Sequence, residues 1–267
     1  MLNLNKIFDY RTGTTKPFLK HNTFDSVYRD KSSLVVTIGD SWSFGGSLWH
    51  LLPENSNSDQ INKFRVDSVF GNQLSQMLQA DWINISLPAM SNLWMAEQAV
   101  RLNDVLKTLP YNKIYIVIVL TEVGRELVFY KGTKFKNINN LVSELSKQVE
   151  NYILSCAWDK RCKLITARTY VNDTYYNLKS SMLCHSWLEV LIDNPFSNNC
   201  VFLSMVLEHL ENFIDSSNKK ELLQVLELAE KRMELLESSK YNIQIPGYKH
   251  PTPEGHKLFA NYILNYC

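Results

Sequence analysis

The sequence predicts an α/β protein, a three-layer α/β/α sandwich in which a central parallel sheet carries helices on both faces. Three observations predict it. Residues 114–120, Ile-Tyr-Ile-Val-Ile-Val-Leu, are apolar on both faces, the pattern of a strand buried in the middle of a parallel sheet. Residues 34–38 form a second such run and stop abruptly at Gly39-Asp40-Ser41. Between and beyond these runs, stretches of helical period alternate with short strands, which is the order of a parallel sheet wound with helices. At 267 residues, with 45% hydrophobic and 21% charged, the chain is long enough to bury such a core and has a globular composition. The expected organisation is one domain over 1–267, with 1–33 as an N-terminal arm and about 175–240 as a helical insertion.

Taken in order, residues 1–33 show no usable period, and 34–39 is the first strand. Residues 42–52 read as a loop or short helix, and 53–59 as a polar loop. Asp67 is the expected cap of a helix that buries Phe70, Leu74, Met77 and Leu78 at i, i+4, i+7, i+8 spacing. Residues 82–87 are the second strand and 88–92 a turn. The next helix shows Leu93, Ala96 and Val100, then Val105, Leu106 and Leu109, before Pro110 stops it. After the central strand, Leu141, Leu145, Val149 and Ile153 recur every four residues in a helix over about 138–156, followed by a strand at 163–168. Residues 201–213 and 221–236 read as a helical hairpin, open to two readings: packing on the sheet, or a substrate lid.

An apolar strand that opens into a small polar turn bearing a hydroxyl places Ser41 where open α/β sheets bind ligands. Alone the triplet is equally an ordinary turn with Ser as helix cap. A second cluster strengthens it: His250-Pro251-Thr252-Pro253-Glu254-Gly255-His256 is a rigid turn feeding a short amphipathic helix, 257–264. Together the two motifs resemble those of the SGNH (GDSL-like) hydrolase family, over most of the chain from about residue 34. Within that family the likeness is to SGNH-type proteins of bacteriophages.

The resemblance implies a flavodoxin-like strand order, Ser41 as nucleophile and His250 as general base. A serine hydroxyl needs such a base within hydrogen-bond reach. It implies oxyanion donors near the turns after the second and third strands, where Ala89 or Met90 stands for a main-chain donor and Asn92 or Thr121 for a side-chain one. Asp40 is expected to brace the turn, with Glu122 and Arg125 supporting the site. Arg125 and Glu126 form an ion pair or bind an anionic substrate group. Trp42 and Phe44 line a pocket or pack. The chain departs from the family three residues before His250, where the usual acid is replaced by Gly247; Glu254, Asp193 and Asp173 are candidates to replace it. His256 is expected to be structural. The function implied is hydrolysis of an acetyl or other short acyl ester on a small molecule or carbohydrate. A degenerate binding or structural protein is the alternative.

Other classes have less support. A net charge of +1 gives no electrostatic reason for a nucleic-acid partner. No Gly-rich phosphate loop follows the first strand, and no HExxH or Cys/His spacing suggests a metal, so no cofactor is expected. There is no signal-peptide pattern and no run of 18 apolar residues. Five cysteines without a CxxC pair point to reduced thiols. The expectation is a cytoplasmic protein without a membrane partner, and the sequence sets no oligomeric state.

Overall fold

The computed structural model describes residues 25–88, 90–121, 156–168, 183–186, 238–243 and 250–267, with isolated positions between 134 and 153 and between 220 and 235. Its sheet contains β1 (Asp25–Val27), β2 (Ser33–Gly39), β3 (Asp81–Asn84), β4 (Lys113–Leu120), β5 (Cys162–Arg168) and β6 (Leu183–Ser186). The spatial order is β1-β3-β2-β4-β5-β6. All neighbours are parallel except β1, which runs antiparallel to β3. The five parallel strands thus follow the flavodoxin-like order 2-1-3-4-5 implied by the resemblance.

β2 and β4 are central because they are apolar on both faces. Leu34, Val35, Val36 and Ile38 on one, and Ile114, Ile116 and Val117 to Leu120 on the other, are fully buried. The helices are α1 (Ser41–Phe44), α2 (Ser58–Ser68), α3 (Phe70–Met77), α4 (Asn92–Leu106) and α5 (Pro253–Leu264). The chain leaves β2 towards β3 through α2 and α3, then returns through α4 to β4 on the other side of β2. With right-handed crossovers these connections cover opposite faces. α3 packs on β2, β3 and α5, with the Phe70 and Phe259 rings edge-on at 5.0 Å, and α4 packs on β2 and β4.

Several boundaries differ from the sequence reading. Asp67 caps nothing: it lies inside α2 and pairs with Lys63 one turn earlier at 2.6 Å. The helix starts at Ser58, inside the stretch read as a polar loop, because Asn57 and Gln60 form a reciprocal capping box. The bend falls instead at Val69, and Met77, expected on the buried face, ends α3 exposed to solvent. β3 closes at Asn84, but Ile85 and Leu87 still donate to the Thr37 and Gly39 carbonyls, at 2.7 and 3.0 Å. β6 was not foreseen: the stretch read as a helical insertion contributes this edge strand, joined to β5 through an irregular register. In the helix expected over 138–156, Val149 and Ile153 are buried as the period requires. Most of the 200–238 hairpin lies outside the described residues. So do residues 1–24 of the arm, whose 25–27 segment is the edge strand β1.

A buried ion pair ties that edge strand to the middle of the chain. Arg65 on α2 grips both Asp25 oxygens at 2.7 and 2.6 Å. It also donates to the Phe44 carbonyl at 2.9 Å and lies over the Phe44 ring at 4.1 Å. Phe44 is therefore a packing residue, and Trp42, fully buried, is another.

Candidate active site

The carboxyl ends of β2 and β4 are adjacent where the strand order reverses, the place where doubly wound sheets form their binding crevice. Gly39 ends β2 because no side chain fits there: a methyl would collide with Ser43 of α1 and approach the Val119 carbonyl. Asp40 follows as the cap of α1, its Oδ1 accepting the Trp42 N–H at 2.9 Å. Its other oxygen accepts from the Thr121 hydroxyl at 2.7 Å. Asn92, the first residue of α4, spans the Thr121 main chain: its Oδ1 accepts the Thr121 N–H at 2.7 Å, and its Nδ2 donates to the Thr121 carbonyl at 3.1 Å. Asp40, Asn92 and Thr121 are all fully buried. They lock the ends of β2 and β4 and the start of α4 into one platform under Ser41.

α1 lasts one turn. Gly45 ends it in the left-handed region at φ 81°, and Gly46 donates back to the Ser41 carbonyl at 2.7 Å. The following Ser47 is also left-handed, at φ 66°, an uncommon conformation for a residue with a Cβ.

His250 arrives from the other end of the chain. Its carbonyl accepts the Ile243 N–H at 2.9 Å, and Thr252 donates to the Tyr241 carbonyl at 2.8 Å. These bonds flank an antiparallel bridge between Asn242 and Pro251. Thr252 then caps α5 by accepting the Gly255 N–H at 3.2 Å, with Pro253 at the first helical position. Held in this way, the imidazole Nε2 lies 3.0 Å from Ser41 Oγ, and Nδ1 lies 3.3 Å from Ser47 Oγ. Gly46 lies against the pair, since a methyl there would sit 3.2 Å from both Nε2 and the Ser41 Cβ. Trp42 lies near the ring, with centroids 6.5 Å apart. Ser41 and His250 are half-buried within these buried surroundings.

His256, one turn into α5, differs. It is fully buried, and its Nδ1 accepts the Phe70 N–H at 3.2 Å, which puts the ring proton on Nε2. Burial, and secondarily the nearby His250, push its pKa down to about 3, so it is neutral.

The structure thus brings together Ser41, His250, Asp40, Asn92 and Thr121. Ala89, Glu122, Arg125 and Gly247, and the candidate acids Asp173 and Asp193, lie outside the described residues, whereas Glu254 is exposed on α5. Gly46 and Ser47 were not anticipated. The Gly-Gly-Ser run after the Ser41 turn is visible in the sequence, whereas the contact of Ser47 with the ring, made with φ at 66°, is not. Among the described residues no group of three or more His, Cys, Asp or Glu side chains is placed to hold a metal, and no helix is long and apolar enough to cross a membrane. Cys156, Cys162 and Cys267 are free thiols. Burial raises all three, the latter two to about 11, so they stay protonated at neutral pH.

No protein-family model matches the chain, and none of the curated proteins does. Among solved structures it is similar to a protein from Desulfitobacterium hafniense assigned to the lipolytic G-D-S-L family, at 14% identity and a TM-score of 0.43, over 88% of this chain and 99% of that one. It is also similar to LAE5, an alpha/beta hydrolase enzyme from the metagenome of Lake Arreo, at 14% identity and a TM-score of 0.39, over 88% and 94% of the two chains. A third is a catalytic mutant of Axe2, an acetylxylan esterase from Geobacillus stearothermophilus, at 12% identity and a TM-score of 0.37, over 87% and 93%.

Proposed function

We propose that this chain is a serine ester hydrolase of SGNH type, with Ser41 as nucleophile and His250 as general base, removing an acetyl or other short acyl group from a small-molecule or carbohydrate ester. The observation that carries it is the 3.0 Å contact between His250 Nε2 and Ser41 Oγ, made across 209 residues of sequence at the carboxyl ends of the strands. An isolated turn serine or surface histidine has no reason to meet such a partner.

In this mechanism Nε2 takes the hydroxyl proton as Oγ bonds to the acyl carbon. The imidazolium then returns a proton to the departing alcohol oxygen as the C–O bond breaks. Water, deprotonated by the same nitrogen, releases the acid and restores Ser41. Nε2 must start unprotonated, so the ring proton belongs on Nδ1. The Ser41 main-chain N–H, at the first position of α1, lacks an intrahelical acceptor and serves as one donor to the oxyanion. With their amides on each other and the Thr121 hydroxyl on Asp40, Asn92 and Thr121 support the site by fixing the platform.

The second reading, a binding or structural protein on the same fold, is favoured by Gly247, which has no carboxylate where the family resemblance expects one. Hydrolysis of p-nitrophenyl acetate and of acetylated oligosaccharides separates the two. The hydrolase reading requires turnover that Ser41→Ala abolishes in a folded protein; equal activity in parent and variant overturns it.

A further inference from the structure

We propose that Ser47 is a positioning residue of His250: its hydroxyl oxygen accepts the Nδ1–H of the ring. This deepens the hydrolase reading and rests on it. The imidazole stands between two hydroxyls of one seven-residue loop, with Ser41 Oγ at 3.0 Å from Nε2 and Ser47 Oγ at 3.3 Å from Nδ1. The 2.7 Å bond from Gly46 N–H to the Ser41 carbonyl closes that loop, so the two hydroxyls keep a fixed spacing. Gly46 lies under the ring, where a side chain would press on Nε2. Ser47 is 3% exposed and holds φ at 66°, the conformation that brings its side chain to the ring. A backbone outlier kept at a site is an observation from which function can be argued.

The chemistry gives the contact a direction. Once Nε2 is the base, Nδ1 carries the proton and donates, and Ser47 Oγ accepts while turning its own hydrogen elsewhere. Being neutral, Ser47 orients the ring and selects its tautomer.

The test uses a substitution that suits the backbone. Ser47→Gly removes the oxygen at a position where glycine adopts φ 66° without strain, so the variant folds. Two readouts are taken on the parent and on Ser47→Gly: p-nitrophenyl acetate kinetics, and the ¹⁵N shifts of His250 at pH 8, which report its tautomer. The expected result is a kcat lower by about tenfold to a hundredfold with KM changed less than about twofold, and a ring moving from the Nδ1–H form to a mixture. Ser47→Asn, which tolerates the left-handed backbone and offers a carbonyl acceptor, should restore the Nδ1–H form and part of the turnover. If Ser47→Gly keeps either the parent's tautomer or its turnover, the proposal is overturned. If the parent hydrolyses no ester, the tautomer measurement still decides the Ser47 contact, and the hydrolase reading falls by itself.

Discussion

The two partners of the Ser41–His250 pair are held by different means. Ser41 grows out of the most buried part of the molecule: the end of β2 is clamped by Asp40, Thr121 and Asn92, and the far side of its turn by the Arg65–Asp25 pair through Phe44. His250 hangs from a short bridge and a helix cap, with Thr252 as the joint. Six residues further on, His256 is buried within α5, where it accepts the Phe70 N–H. Burial separates these two histidines: the half-buried ring meets the Ser41 hydroxyl, whereas the enclosed ring is forced neutral.

The largest effect expected is on chemistry. Ser41→Ala and His250→Ala should each lower kcat by on the order of a thousandfold or more, and the double variant should lose little beyond either single one, because the two act as a unit. Steady-state kinetics on the three variants checks this, and additive losses would break the pairing.

On the Ser41 side, Asp25→Ala leaves the Arg65 guanidinium buried without its carboxylate, which costs about 3–5 kcal/mol. Urea unfolding should show that loss. Little change would mean that the edge strand does not brace the turn.

On the histidine side, the neutral His256 makes stability depend on pH. Its folded pKa, about 3, lies below the unfolded value near 6.5, so its contribution is fully present above that value. Between pH 6.5 and 3 the unfolded chain binds a proton that the folded chain refuses, and stability falls as pH drops, by about 2 kcal/mol at pH 5. His256→Leu should lose stability at pH 8 by leaving the Phe70 N–H without its acceptor. It should also show a shallower decline from pH 7 to 5 in denaturant titrations, and a slope equal to the parent's would place the titration elsewhere.

Smallest is the cap. Thr252→Ala removes the acceptor of the Gly255 N–H, worth about 1 kcal/mol. Calorimetry should find a Tm lower by a few degrees.

Legibility in the sequence followed the same division. The strand at 34–39 and the central strand at 114–120 were readable because burial on both faces leaves an uninterrupted apolar run. Asn57-Ser58-Asp59-Gln60 hid the start of α2 because a capping box is built from the same residues as a polar loop. β1 and β6 escaped because three- and four-residue edge strands carry no period. At the site, Ser41 and His250 were legible as motifs, each beside a structural signal, a strand end or a helix cap. The partnership of Ser47 with a ring 203 residues away depends on a left-handed backbone angle, for which Gly-Gly-Ser is no specific sign.

The central claim, that Ser41 is an activated nucleophile because His250 faces it, is tested most directly with a fluorophosphonate, which bonds to an activated serine without knowledge of the substrate. Intact mass and peptide mapping should find one adduct in the parent, on Ser41, and none in Ser41→Ala. In His250→Ala, labelling should slow by at least about a hundredfold. An unlabelled parent, an adduct on another residue, or labelling indifferent to His250 would contradict the account.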